Sequence, residues 1–229
     1  MTIGRRPCAV CGDPDRQRVR VLWRGLIDEW GLDEAEADYI DRQQGESCVR
    51  CGSNLRSMAL AASICRAAGL DKTLLDALPD LARFKLLELN EAGTLSPLLR
   101  TLPYYTFAAY PEVDMRDMPY PAGAFDLVVH SDTLEHVSEP ILALQECRRV
   151  LNLGGACCFT IPIVVGRMTR SRAGMPLSFH GAEEDARADF IVQSEYGADA
   201  WTQCAEAGFR TVSLDLFAYP AAMAIRASA

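Results

Sequence analysis

No stretch of this chain of 229 residues approaches the roughly 20 consecutive apolar residues that a membrane-spanning helix requires. A secretory leader is missing too: the opening MTIGRRPCAVCGDPD has two arginines with no apolar stretch behind them, so a cytoplasmic protein is expected. Nor is there a basic excess. Lysine and arginine number 23 against 31 aspartate and glutamate, a formal charge of −8, and the footprint that displaces counterions from phosphate is absent. Neither nucleic acid nor a membrane is an expected partner. Disorder is also excluded, because 49% hydrophobic and 24% charged residues are ordinary for a globular chain of one main domain with a small appendage.

Cysteine, by contrast, is abundant, with nine in all. Four fall into two pairs of one form, CAVCG at Cys8 and Cys11 and CVRCG at Cys48 and Cys51, while Cys65, Cys147, Cys157, Cys158 and Cys204 are scattered. In each pair a tight turn aims two thiolates at one ion, and the following glycine permits the backbone that turns amide groups toward sulfur. Two such knuckles complete a closed four-cysteine zinc site with no position open to water, which would be structural. Redox-active pairs or plain buried thiols are the alternatives. The long separation of Cys11 from Cys48 predicts a helical insertion. Leu22, Leu26 and Trp30 recur at helical spacing, Gly31 stops that run, and Asp33 can cap a second helix through Tyr39 and Ile40. After Cys51, SNLRSMALAASICRAAGL reads as a helix capped by Ser53 or Asn54 and stopped by Gly69, with Cys65 as a small buried residue.

From residue 83 the rhythm changes to strands at 83–89, 104–110, 125–131, 155–162, 210–217 and 221–227. Between them a helix is predicted after Ser138, with Pro140 in its first turn and Ile141, Leu144, Cys147 and Val150 or Leu151 as its buried stripe. A second is predicted over 194–209. This order predicts a doubly wound α/β sheet whose last two strands, joined only by AYP, are antiparallel. Such sheets bind ligands beyond the carboxyl ends of their strands. The segments after 83–89 and after 125–131 therefore carry the candidate site.

The stretch DMRDMPYPAGAFDLVVHSDTLEHVSEPILALQECRRVLNLGGACCFTIP, residues 114–162, resembles the central part of class I S-adenosylmethionine-dependent methyltransferases of the small-molecule group. The likeness extends weakly over 83–229, and the cysteine region is similar to zinc-knuckle extensions of some members. The resemblance implies a Rossmann-like domain over 56–229 behind a zinc lobe over 1–55, with S-adenosylmethionine as methyl donor. It also implies roles. Glu88 organises the loop around the methionine part of the cofactor, Asn90 and Gly93 form that loop, and Asp117 accepts a hydrogen bond from the adenine amine with Met118 on the ring. His130 and Ser131 lie near the cofactor, and His136 is a capping or packing residue. Two segments depart from the pattern: Asn90 and Ala92 stand where glycines are usual, and Ala108 and Ala109 where an acid grips the ribose, so that Glu112 or Asp114 would substitute if its loop folds back.

On the acceptor side, the long segment 162–193 reads as a lid or substrate loop. Arg167, Arg170 and Arg172 would form an anion site for a small acceptor, or else pair with Glu183, Glu184 and Asp185. Phe179-His180-Gly181 resembles a Tyr-His-Gly of related methyltransferases. That makes His180 a candidate base, with Asp132 a second. The expected reaction is methyl transfer to an oxygen, or secondly a nitrogen, of a small polar or anionic acceptor. A catalytically silent fold serving as a scaffold is the alternative.

Overall fold

The computed structural model describes residues 6–179 and 190–229. The N-terminal lobe contains β1 (Arg16–Arg18), α1 (Arg24–Glu29), α2 (Glu34–Gly45) and β2 (Glu46–Cys48), with β1 and β2 paired antiparallel. Helix α2 starts where Asp33 can begin it. The Asp33 carboxylate accepts the Glu36 amide at 2.8 Å while the Glu36 carboxylate accepts the Asp33 amide at 3.2 Å, a reciprocal cap. Then follow α3 (Leu55–Ala67) and α4 (Leu74–Leu81), the latter not expected from the sequence. Asn54 caps α3 by accepting the Ser57 amide at 2.9 Å. Gly69 ends the turn with φ +72° while the Leu70 amide donates to the Cys65 carbonyl.

The body continues with β3 (Leu86–Leu89), α5 (Ser96–Leu99), β4 (Tyr105–Ala108), β5 (Phe125–Ser131), α6 (Pro140–Val150) and β6 (Leu151–Thr160). Next come β7 (Ile163–Val164), β8 (Arg170–Ser171), β9 (Ser194–Gly197), α7 (Thr202–Glu206), β10 (Thr211–Ala218) and β11 (Ala222–Ser228). Six strands form one sheet in the order β10-β11-β6-β5-β3-β4. The four from β4 to β6 are parallel, and β11 is antiparallel to both neighbours, as the short AYP connection predicts. The chain leaves β3 toward β4 on one side and returns to β5 on the other, so the order reverses at β3. Leu60, Ile64 and Leu127 pack on one face in a cluster that also holds Cys8, Val10, Tyr39 and Cys48 of the lobe. Val128, Leu144, Cys147 and Phe159 fill the other face. Among the described residues no helix is long and apolar enough to cross a membrane.

Three local expectations change. The helix expected over 194–209 is instead β9 followed by the short α7, because Ser194–Gly197 pairs parallel with β7 and antiparallel with β8 and is buried throughout. The segment 162–193 thus supplies two strands of a three-stranded sheet as well as connecting loop. Ser138 does not cap α6; its hydroxyl accepts from Arg116 Nη1 at 3.0 Å, and Glu139 holds the cap position without a side-chain bond. The small sheet is fastened to the lobe. Arg167 donates to the Trp30 and Gly31 carbonyls, each at 2.7 Å, and to Glu36 at 2.6 Å; the Tyr39 hydroxyl accepts the Val165 amide, and the Trp30 indole donates to the Ser178 hydroxyl.

Gly197 sits at the tightest point of this sheet, where an added Cβ would lie 2.2 Å from the Arg167 carbonyl oxygen. Gly197→Ala is expected to cost about 1–3 kcal/mol by overpacking, read as a lowered urea midpoint at unchanged slope. A midpoint equal to that of the parent chain would show that β9 and the turn at Arg167 and Met168 are not packed this closely.

Candidate active site

Burying a carboxylate is costly unless donors surround it. Glu88, at 0% exposure near the end of β3, is satisfied three times: it accepts the Ala92 amide at 2.7 Å and the hydroxyls of Ser96 and Tyr105. These bonds curl the segment after β3 back over the strand. Two of its residues take left-handed backbones, Asn90 and Gly93, each with φ +57°. Asn is among the few side-chain-bearing residues that adopt this conformation readily, so Asn90 supplies a turn that glycine would otherwise be needed for. Its side chain also laces the strand ends together, with Oδ1 accepting the Tyr110 amide at 3.1 Å and Nδ2 donating to Thr133 Oγ1 at 3.4 Å.

Beyond these strand ends lies a cleft of about 920 Å³. Asn90, Glu91 and Gly93 line it from β3, Ala108 and Ala109 from β4, and Ser131, Asp132 and Thr133 from β5. Asp117 and Met118 are not among its lining residues, contrary to the adenine placement expected for them. Met118 is buried, its amide bound by Glu146 and its carbonyl by Arg149. Asp114, three residues earlier, faces the cleft instead and is held at both carboxylate oxygens by Arg116, at 3.1 and 2.7 Å. That guanidinium keeps the Asp114 carboxyl below the usual carboxylate range. Glu112 does not line the cleft.

The helix entering the body from the lobe forms the facing wall, through Asn54, Arg56 and Ser57, which the sequence analysis did not single out for the site. The one available signal for Arg56 is a guanidinium in the first turn of a helix that is otherwise small and apolar until Arg66 in its last turn. Arg56 is buried, donates to Gln43 Oε1 at 2.9 Å and forms an ion pair with Asp132 Oδ2. Burial pushes its guanidinium down to about 10, opposed by the Glu135 charge, so it remains a cation at neutral pH. Asp132 occupies a left-handed backbone, φ +49°. Its Oδ1 and the Arg56 Nε are buried with no hydrogen-bond partner among the described residues, leaving one acceptor and one donor at this wall.

His130 points to the other side of β5. It is wholly buried, stacks on Phe159 with ring centroids 4.6 Å apart, and is not among the cleft residues. Burial pushes its imidazole down to about 4, so it is neutral at pH 7. His136 does line the cleft, with Nδ1 3.1 Å from the Ile191 carbonyl oxygen and its ring edge-on to Phe190. His180 lies outside the described residues.

The three arginines expected to bind an anion do not line the cleft. Arg167 grips Glu36 and lobe carbonyls, Arg170 and Arg172 both pair with Glu195, and Arg172 also reaches Glu29 at 3.5 Å. Their charges are neutralised by carboxylates remote in sequence, so they serve the small sheet and its seat on the lobe.

In the lobe the four Sγ atoms of Cys8, Cys11, Cys48 and Cys51 lie within 4.8 Å of one another. Cys8 and Cys51 are 3.7 Å apart, and Cys11 and Cys48 are 3.6 Å apart. Disulfide sulfurs would be about 2.05 Å apart. Four thiolates bound to one zinc at about 2.3 Å stand about 3.8 Å apart on a tetrahedron, so the cage has the size a zinc ion needs. Burial pushes the Cys8 and Cys11 thiols up. Burial acts the same way on Cys51, but the Ser53 hydroxyl and amide and the neighbouring thiols outweigh it and bring that group down to about 7.

Residues 50–159 match a protein family described as a methyltransferase domain. Over 174 residues the chain is 29% identical to a ubiquinone biosynthesis O-methyltransferase of Xanthomonas campestris pv. campestris, covering 72% of this chain and 63% of that protein. Over 52 residues it is 38% identical to a chloroplastic 2-methyl-6-phytyl-1,4-hydroquinone methyltransferase of Oryza sativa subsp. japonica, covering 23% and 16%. The chain thus spans less than two thirds of the length of each of these relatives. A solved structure from Thermotoga maritima, described as an S-adenosylmethionine-dependent methyltransferase and possible histamine N-methyltransferase, aligns at TM-score 0.40 with 14% identity, over 76% of this chain and 89% of its own. The match to the methyltransferase-domain family runs from the second cysteine knuckle through α3 and the strands beneath the cleft.

Proposed function

We propose that this protein transfers a methyl group from S-adenosylmethionine to an oxygen, with nitrogen as the second choice, of a small polar acceptor. The observation that carries the reading is the loop at 90–93, curled by Glu88 over the end of β3 at the point where the sheet order reverses, within a matched methyltransferase domain. The O-methyltransferase among the relatives supports oxygen as the acceptor atom. An anionic acceptor draws no support from Arg167, Arg170 and Arg172, whose charges are already engaged.

S-adenosylmethionine supplies an electrophilic sulfonium methyl group. The chain's own residues orient the two reactants. Asn90, Gly93 and Ser131 offer the close backbone walls, Arg56 is the cation suited to the carboxylate of the methionine part, and Asp114 takes a hydroxyl or amine donor of the nucleoside in place of Asp117. Asp132 Oδ1, a buried acceptor, suits the hydroxyl or amine of the methyl acceptor and would take its proton as that oxygen or nitrogen bonds to the methyl carbon, while the bond from the sulfonium sulfur to that carbon breaks and S-adenosylhomocysteine leaves. Alignment of the two reactants accounts for most of the acceleration. His180 stays a candidate base. Zinc held by Cys8, Cys11, Cys48 and Cys51 is structural, since four thiolates leave no open position.

Calorimetric titration with S-adenosylmethionine and S-adenosylhomocysteine is expected to give micromolar binding of both. No heat at millimolar ligand would favour a silent scaffold, which Ala108 and Ala109 in place of a ribose acid would explain. Glu88→Gln sets an amide donor against a ring of donors. A stability loss of about 1–3 kcal/mol and weakened S-adenosylhomocysteine binding are expected, and a variant unchanged in both would disprove the role given to Glu88. Elemental analysis should find one zinc per chain, released as falling pH protonates the thiolates. Retention of stoichiometric zinc in Cys48→Ser would rule out a four-cysteine site.

A further inference from the structure

The metal cage and the cleft meet at one hydroxyl. Ser53, 1% exposed, places its Oγ 3.4 Å from Cys51 Sγ and 2.9 Å from Thr94 Oγ1, and its carbonyl accepts the Cys48 amide at 2.9 Å. Thr94 directly follows Gly93, the left-handed residue on the cleft wall. Asn54, directly after Ser53, lines the same cleft and caps the helix that carries Arg56. A run of three polar groups therefore connects a cysteine sulfur to the loop that surrounds the cleft.

A hydroxyl has one donor and two acceptor sites. Thr94 donates to Ser53 Oγ, and a thiol at Cys51 donates its S–H to that same oxygen, so the Ser53 proton is not committed to either neighbour. A metal-bound thiolate carries no proton. The Ser53 O–H must then turn onto the sulfur, which fixes its lone pairs toward Thr94 and makes the run continuous from metal to loop.

We infer that Ser53 is a positioning residue that links occupancy of the four-cysteine metal site to the affinity of the cleft for its nucleoside ligand, through Thr94 and the turn at Gly93. This rests on the reading of the cleft as the S-adenosylmethionine site. The linkage is reciprocal in affinity: the ligand must tighten the metal by the same factor by which the metal tightens the ligand, and the tighter metal leaves more slowly, since such affinity differences fall mostly in the rate of release.

The test uses the zinc-replete chain, Ser53→Ala, Thr94→Val and the double variant, with zinc content, S-adenosylhomocysteine affinity and the rate of zinc transfer to a chelator with and without that ligand. All four proteins should keep one zinc. Each single change should weaken the ligand about fivefold, the worth of one hydrogen bond, and the double variant should be no weaker than either, because both cut one chain. The ligand should slow zinc release in the parent chain and not in Ser53→Ala. A purely structural serine would lower the melting temperature while leaving that ligand effect intact. Unchanged ligand affinity in Ser53→Ala, additive losses, or a ligand effect that survives the substitution would each overturn the inference. Should Ser53→Ala not fold, Thr94→Val at an exposed position decides in the same way. If the parent chain binds no S-adenosylhomocysteine, the cleft reading is what fails, and an unchanged zinc-release rate in Thr94→Val would then remove the relay as well.

Discussion

A carboxylate with no access to water dictates its surroundings, and Glu88 is such a group. Its three donors come from the loop after β3, from α5 and from β4, so a single buried charge decides how the loop curls, where the next helix starts and how β4 sits against β3. The cleft exists because those three segments are drawn inward at the end of a central strand. A neutral apolar residue there would pack but would not curl the loop, since the pull on the Ala92 amide is charge-assisted. The left-handed positions at Asn90 and Gly93 are the backbone's response to that pull.

The second determinant is the way the lobe is joined to the body. Among the described residues the lobe has no separate core: Cys8, Val10, Tyr39 and Cys48 pack with residues of α3 and of the sheet. α3 is at once the continuation of the second knuckle and the wall that brings Arg56 to Asp132. The small sheet of β7, β8 and β9 then uses the outer face of the lobe as its seat, through Arg167, Tyr39 and Trp30. The four-cysteine cluster, the cleft and the overhanging segment are therefore consecutive contacts along one path.

What the sequence made legible follows from how local each cause is. β5 was readable to its ends because a strand covered on both faces must be apolar through its centre, and the paired CxxCG turns announced a cage whose members are set by their own loops. The antiparallel close of the sheet followed from a connection too short for a crossover. β9 was not legible. Ser-Glu-Tyr-Gly has no strand pattern of its own and is extended because β7 and β8 flank it. The partners that the fold gives Arg167, Arg170 and Arg172 were not legible for a related reason: Glu29, Glu36 and Glu195 are distant in sequence, and only the fold brings them to these cations. Between Asp114 and Asp117, spacing alone does not decide which acid turns to the cleft. The anchoring of Met118 by Glu146 and Arg149 does.

The grip of Arg167 has a temporal side. Its carbonyl partner Trp30 lies 137 positions earlier in the chain, and between them run α2, α3 and most of the parallel sheet. Contacts of such sequence separation form late, since loop closure must be paid before they return anything. On a ribosome Trp30 and Tyr39 emerge well before the segment carrying Arg167 has been made. The order of synthesis therefore places both cysteine pairs of the lobe well ahead of the segment that covers its outer face.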